Sequence, residues 1–340
     1  MFGKSYKRRV SEMSDIPFER LNKLSHPILS PGLASAWDSE VTANPRIFKY
    51  NGQYINFYTG YSQKATYWGI GYAFSEDLVS WHRPDNNLLI CSGEAGSWNH
   101  ANVDGAWVLP ISNGRYGMFY EGRRFFNTFE TQSFGFACTD TTPFKDWQEF
   151  DHNPVFSPTG NHKDFDGIGL LAPLVYRVKG HYWMFYSGFD GDCMRTGVAF
   201  SKDLLAWERY SDNPIIDRGP NGDWDAKGAV MLNIFRVKNQ FYAFYEGRDE
   251  KEKLNAGLVT SNDLLNWERV TSEPVLKGGD SGSFDEQKLC SPYVFIEKGK
   301  LYLFFGAHPV GEVPGTTGLA IALLKPWAQE ARVCFDEISL

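Results

Sequence analysis

Ser75-Glu-Asp-Leu-Val-Ser-Trp81, Ser201-Lys-Asp-Leu-Leu-Ala-Trp207 and Ser261-Asn-Asp-Leu-Leu-Asn-Trp267 are one phrase, Ser-x-Asp-Leu-x-x-Trp, written three times. The phrase belongs to a longer unit. An aromatic-Asp or aromatic-Asn step opens each copy, at Trp37-Asp38, Trp98-Asn99, Phe165-Asp166, Trp224-Asp225 and Phe284-Asp285, at intervals of 61, 67, 59 and 60 residues. Eight residues after each aromatic stand Pro45, Ala106, Pro173, Leu232 and Pro292. A turn follows (Gly52, Gly114, Gly180, Asn239, Gly299), then an aromatic run: Tyr54 to Tyr58, Tyr116 to Tyr120, Tyr182 to Tyr186, Phe241 to Tyr245, Leu301 to Phe305. Self-similarity at a fixed period is the mark of repeat architecture.

Each unit reads as strands only. From Pro45 to Tyr58 two β-rich runs flank Asn51-Gly52, a strong hairpin signal. A short third run follows (Gly69 to Ser75, Ser133 to Thr139, Thr196 to Ser201, Ala256 to Ser261, Thr317 to Ala322), and the Trp phrase leads into a fourth. Four antiparallel strands, radially repeated, make a β-propeller blade. The expected fold is all-β: a single five-bladed β-propeller domain over residues 1–340, with inner strands starting near 37, 98, 165, 224 and 284. The fifth unit lacks its Trp phrase, and Phe18-Glu19-Arg20 leading to His26-Pro27-Ile28-Leu29 supplies the missing echo. The N-terminal strand is therefore expected to close the last blade, covering an edge that would otherwise stay open.

Composition narrows the function. A net charge of −7 without a basic block argues against nucleic acid and anionic membranes. No apolar stretch approaches the roughly 18 residues of a bilayer span. Lys4, Lys7, Arg8 and Arg9 precede no apolar core, so no secretory signal is read and a cytoplasmic location is expected. Cys91, Cys138, Cys193, Cys290 and Cys334 lack metal or disulfide spacing, and the seven His are dispersed. No metal or cofactor is expected, and a central calcium has no support in the sequence. The sequence leaves the oligomeric state open.

A residue present in every unit is most simply scaffold. Asp38, Asp166, Asp225 and Asp285 are therefore expected to bond the turn entering each inner strand, and function is sought where the units differ. The start of an inner strand and the end of its returning partner meet on one rim. There the position of Thr59, Ser187 and Gly306 becomes Glu121 and Glu246, inside the matching phrases Phe119-Tyr-Glu-Gly-Arg123 and Phe244-Tyr-Glu-Gly-Arg248. A carboxylate ending an apolar strand is expensive unless it is paired or used. The same rim gathers Glu40, Asn44, His100, Asn102, Asp104, Lys227, Glu286, Gln287 and Lys288, and overhanging loops add Arg124, Asp190, Asp192, Asp249 and His308. Two uses of Glu121 and Glu246 stay open: salt bridges with Arg123 and Arg248 that brace loops, or contact with a ligand.

The five repeats, the Ser-x-Asp-Leu-x-x-Trp strand and the Gly-x-Tyr-x-x-Phe-Tyr strand resemble the five-bladed β-propeller glycosidases. That group spans glycoside hydrolase family 43, the invertase and levansucrase families (family 32-like), and the mannoside phosphorylases of family 130. The resemblance covers the chain from about Ile16 and implies a carbohydrate substrate held in a central funnel lined with carboxylates. The family 43 trio is not intact. Its base, an Asp before Pro in the first blade, is Asn44 here; its acid is replaced by Leu171-Ala172 before Pro173; its third Asp is approximated by Asp104. Catalysis is therefore assigned to Asp104, Glu121 and Glu246, with Glu246 expected as acid and Asp104 as base. Asn44, Glu40, His100, Arg123, Arg124, Asp190, Lys227, Arg248, Glu286 and His308 are assigned to substrate binding. Trp107, Tyr120 and Tyr245 are candidate rim aromatics for stacking on a sugar. The expected activity is hydrolysis of a small glycoside or glycoconjugate. The alternatives are phosphorolysis or transfer at an Arg-lined anion site, since Arg presents a planar fork of donors matched to phosphate, and a non-catalytic carbohydrate-binding propeller.

Overall fold

The structure, a computed structural model, describes residues 16–64, 67–111, 114–126, 128–140, 145–308, 315–335 and 337–338. Lys4, Lys7, Arg8 and Arg9 lie outside them. The all-β expectation holds. Inner strands run Val41–Tyr50, Asn102–Pro110, Gly169–Val178, Gly228–Val237 and Lys288–Glu297. Each starts four residues after the aromatic that opens its repeat. Returning strands Gln53–Ser62, Tyr116–Arg123, His181–Phe189, Gln240–Arg248 and Lys300–His308 pair with them antiparallel. Third strands Tyr67–Ser75, Ser133–Thr139, Met194–Ser201, Leu254–Ser261 and Thr316–Leu323 follow, with short outer strands in four units at Leu88–Cys91, Gln148–Glu149, Glu208–Arg209 and Glu268–Arg269. Each inner strand touches that of the next unit, and the fifth touches the first, so the units form a closed circuit. No helix among the described residues is long and apolar enough to cross a membrane.

The N-terminus supplies the fourth strand of the last unit, as the sequence implies, but in a different register. Asn22–Lys23 pairs with Thr316–Leu323, placing Lys23 opposite Ala320 just as Arg209 lies opposite Ala199. Lys23, not Arg20, is thus the counterpart of Arg209. The downstream match survives, since Leu29 and Ile216 bridge Thr317 and Thr196 alike.

The repeated Asp has a different task from the one its position suggests. Asp38 accepts from the Tyr58 hydroxyl (2.7 Å) and Arg83 Nε (2.8 Å). Asp166 likewise takes Tyr186 (2.9 Å) and Arg209 (2.7 Å), and Asp225 takes Tyr245 (2.9 Å) and Arg269 (2.7 Å). The carboxylate ties the returning strand to the outer strand inside one unit. The fifth unit keeps only the cation, Lys23 on Asp285 (2.5 Å), because Phe305 stands where the others have Tyr. The second has Asn99 in place of Asp, and Glu149 accepts from Tyr120 where the first, third and fourth units have Arg.

The C-terminal segment covers the far ends of the inner strands. Arg332–Val333 pairs with the fourth and Glu337–Ile338 with the third, while Phe335 packs on Phe295 at 5.6 Å. The rim where inner strands begin is the opposite end.

The buried Asp225–Arg269 pair gives a direct test of the scaffold reading. Asp225→Ala strands the Tyr245 hydroxyl and Arg269 in the interior, so a loss of about 3–5 kcal/mol is expected by denaturant unfolding. A change under about 1 kcal/mol would show the Asp to be dispensable to the fold.

Candidate active site

All five inner strands slip register, at matching places between Ala43 and Arg46, Asp104 and Trp107, Leu171 and Leu174, and Cys290 and Tyr293, and one residue later, between Met231 and Ile234, in the fourth. These are β-bulges, which re-aim side chains and leave backbone groups unpaired within the strand. At four of them one residue adopts left-handed φ: Asn44 (52°), Gly105 (61°), Ala172 (53°) and Ser291 (49°). Three of the four are not glycine, and backbone of that kind concentrates at functional sites.

At three seams the N–H at the bulge is taken by the preceding unit, and at one of them Met231 N–H donates to Thr196 Oγ1 (3.0 Å). Gly105 N–H instead donates chiefly to Asp104 of its own unit (2.6 Å), with Thr59 Oγ1 of the preceding unit farther off at 3.4 Å. At the other two seams the acceptor is a carboxylate: Ala172 N–H donates to Glu121 Oε1 (2.8 Å), and Ser291 N–H to Glu246 Oε2 (2.9 Å). Glu121 and Glu246 are each 8% exposed. Among the described residues neither forms an ion pair with its adjacent arginine. Arg123 donates to the Thr128 carbonyl (3.0 Å) and Arg248 pairs with Glu252 (2.9 Å). The salt-bridge reading is therefore replaced by a seam bond to backbone.

Asp104 stands opposite Glu121 across the strand pair. Its Oδ1 collects three donors: Asn44 Nδ2 (2.5 Å), Gly105 N–H (2.6 Å) and the Thr59 hydroxyl. Ser291 Oγ bonds Asn44 Oδ1 (2.5 Å), so a chain of polar contacts runs from the fifth unit through Asn44 to Asp104. Glu121 also accepts from Gln132 Nε2 (2.5 Å). Burial, reinforced by the charge of Asp104, pushes the Glu121 carboxyl up to about 8, against the pull of Arg46 and Arg123. Burial raises Glu246 as well, but there the nearby charges, Arg248, Lys288 and Arg46, all oppose it. The environment that best keeps a proton is that of Glu121, not of the expected acid Glu246.

Of the residues assigned to binding, Asn44 joins this cluster directly, and Arg123 sits close enough to feel both Asp104 and Glu121. Arg123 Nε and Arg248 Nε are buried with no acceptor among the described residues. His308 ends its returning strand opposite Lys288. The rest are engaged elsewhere. Lys227 pairs with Asp192, Asp190 with Arg195, Glu40 accepts from Gln63 N–H (2.9 Å), Glu286 from Gly282 N–H (2.7 Å), and His100 Nδ1 lies 3.3 Å from the Gly93 carbonyl. Arg124 is exposed on the loop beyond Arg123. Trp107, Tyr120 and Tyr245 are at most 3% exposed and belong to the core, not to the rim. Sequence reading missed Arg46, an arginine 5% exposed in the first inner strand. Its one signal is a charged residue directly after Asn44-Pro45 in an otherwise buried run.

With a protonated carboxyl, a second carboxylate and spare guanidinium donors on one rim, the arrangement suits transfer at a glycosidic bond. Residues 145–313 match the family model described as beta-1,4-mannooligosaccharide phosphorylase. That stretch holds Glu246 and Arg248. The chain is 24% identical over 244 residues to a 1,2-beta-oligomannan phosphorylase of Thermoanaerobacter sp. (strain X514), covering 69% of this chain and 72% of that one. It is 26% identical over 262 residues to a beta-1,2-mannobiose phosphorylase of the same organism, covering 72% and 76%. Among solved structures, a beta-1,2-mannobiose phosphorylase from Listeria innocua superposes with a TM-score of 0.68 at 12% identity, over 90% of this chain and 97% of that one. A second, described as one of the glycoside hydrolases within the family 130 mannoside phosphorylases that target beta-1,2 mannosidic linkages in Candida mannan, gives 0.66 at 18% identity over 95% and 100%. The similarity is to the family 130 branch, and the family 43 label is corrected accordingly.

The raised Glu121 carboxyl has a stability signature. Its folded value exceeds the unfolded one, so the stability it contributes is complete below the ordinary carboxylate range and is lost as pH rises through about 8. Glu121→Gln is expected to flatten the fall of melting temperature across that window. A pH profile identical to that of the parent would show Glu121 to be already ionised at neutral pH.

Proposed function

We propose that this protein is a carbohydrate-active enzyme, a phosphorylase that cleaves a β-mannosidic linkage with inorganic phosphate at the mouth of a five-bladed β-propeller. The observation that carries the reading is the buried Glu121 standing opposite Asp104, its carboxyl pushed up to about 8, with Arg123 close enough to attract both. A hydrolase must activate water, which demands a base as well as an acid. Phosphate arrives already anionic, so the protein need supply only a proton and a seat for the anion. One acid and spare arginines meet that requirement more simply than the expected hydrolytic pair. The curated relatives are named as phosphorylases of β-1,2-mannosides, which supports the same choice.

In this reaction a phosphate oxygen bonds to the anomeric carbon as the bond from that carbon to the leaving oxygen breaks. The proton moves from the Asp104–Glu121 pair to the leaving oxygen, giving a mannose phosphate and a shortened glycan. Asp104 is the more exposed member of the pair, and Glu121 is the one whose surroundings keep a proton. Asn44 fixes the orientation of Asp104, and Arg123 holds the phosphate through its free donor.

The test is turnover of β-1,2-mannobiose followed by phosphorus NMR, with and without phosphate. Mannose phosphate is expected only when phosphate is present; release of free mannose at the same rate without it would overturn phosphorolysis in favour of hydrolysis. Asp104→Asn and Glu121→Gln are each expected to lower kcat/KM by about 10²–10⁴-fold. Arg123→Ala is expected to raise the KM for phosphate while sparing that for the sugar.

A further inference from the structure

Nine residues after each repeat-opening aromatic, the inner strands present Arg46, Trp107, Leu174, Asn233 and Tyr293. They form a layer beneath the rim, with Trp107 and Tyr293 ring centroids 6.4 Å apart and the Arg46 guanidinium 5.6 Å from the Tyr293 ring. Arg46 is the layer's charged member. Its Nη1 donates to the Pro45 carbonyl (2.9 Å), and its Nε is buried without an acceptor. The cavity beside it, bounded by Trp107, Tyr293 and Phe335, measures about 10 Å³. That is room for about one water molecule and for no sugar or phosphate.

A buried cation without a salt bridge of its own needs anions nearby. Among the described residues three carboxylates of the rim form no ion pair: Asp104 and Glu121 from the second unit and Glu246 from the fourth. Arg46 is close enough to attract all three. The remaining titratable groups around it are the phenols of Tyr176 and Tyr293; Arg123 faces Asp104 and Glu121, while Arg248 and Lys288 face Glu246.

We propose that Arg46 is the shared counter-ion of the Asp104–Glu121–Glu246 cluster, a positioning residue that lets three carboxylates gather at one mouth without touching the substrate. Burial works to strip its proton and the carboxylates work to keep it, while its charge in turn pulls against the burial that raises Glu121 and Glu246. The effect on catalysis rests on the phosphorolytic reading; the effect on the cluster does not.

The test uses Arg46→Met, Arg46→Lys and the double variant Arg46→Met/Asp104→Asn. Melting temperatures are taken at about pH 5 and about pH 8, where the number of ionised carboxylates differs. Arg46→Met is expected to lose more stability at the higher pH, Arg46→Lys to lose little, and the double variant to regain part of the loss because one anion is gone. If Arg46→Met fails to fold, folding of the double variant supports the proposal and its failure overturns it. An equal loss at both pH values, with no recovery in the double variant, would make Arg46 a packing residue. In activity, Arg46→Met is expected to move the upper limb of the pH–rate profile upward by about one pH unit. Absence of any parent activity would sink the phosphorolytic reading while the melting data still decide on Arg46.

Discussion

The bulge in each inner strand is the constraint on which the site depends. An inserted residue takes a backbone N–H out of the strand ladder at Gly105, Ala172, Met231 and Ser291, and a buried N–H without an acceptor is costly. The preceding unit must answer with an acceptor at the end of its returning strand or the start of its third. The slipped register also turns the residue before Pro toward the rim and the residue after it toward the axis. Asn44 and Arg46, two residues apart, thereby serve two layers of one funnel: Asn44 binds Asp104 above, and Arg46 lies over Tyr293 below. Gly105 fits the same constraint from the other side, because a side chain there would collide with Glu121 Oε1.

The second dependency lies within each unit. The Asp-Tyr-Arg tie joins the returning strand to the outer strand across the third in the first, third and fourth units. The other two depart from it: Lys23 replaces Arg on Asp285 in the fifth, where Phe305 has no hydroxyl to offer, and in the second the neutral Asn99 holds the Asp position while Tyr120 donates to Glu149.

Much of the fold is legible in the sequence, because strand order, turn chemistry and period all recur within one chain. Four inner-strand starts could be checked against a fifth. The candidate cluster is legible for the same reason: Glu121 and Glu246 stand out only against Thr59, Ser187 and Gly306. What escaped reading depends on geometry without a sequence period. A bulge shifts the alternation of faces, so Arg46 cannot be placed toward the axis by counting from Val41. Lys23 displaced Arg20 because three residues of slip leave the downstream Pro27-Ile28-Leu29 match intact. Trp107, Tyr120 and Tyr245 look like rim aromatics in sequence, yet each spends its polar atom inside the scaffold, on the Val175 carbonyl, Glu149 and Asp225.

The seams themselves argue that Glu121 and Glu246 are more than braces. Thr196 accepts the equivalent N–H with a neutral hydroxyl, which enters the interior at modest cost. A carboxylate at 8% exposure answers the same N–H while adding a charge that burial resists. If satisfying the bulge were the whole task, a neutral acceptor such as Thr196 would serve the seams of Glu121 and Glu246 as well. The carboxylate solution is confined to two units, and in one of them it faces a second carboxylate, Asp104, which makes ionisation harder still. A scaffold gains nothing from that arrangement. A site that must hold a proton near neutral pH and release it to a leaving oxygen gains the proton itself.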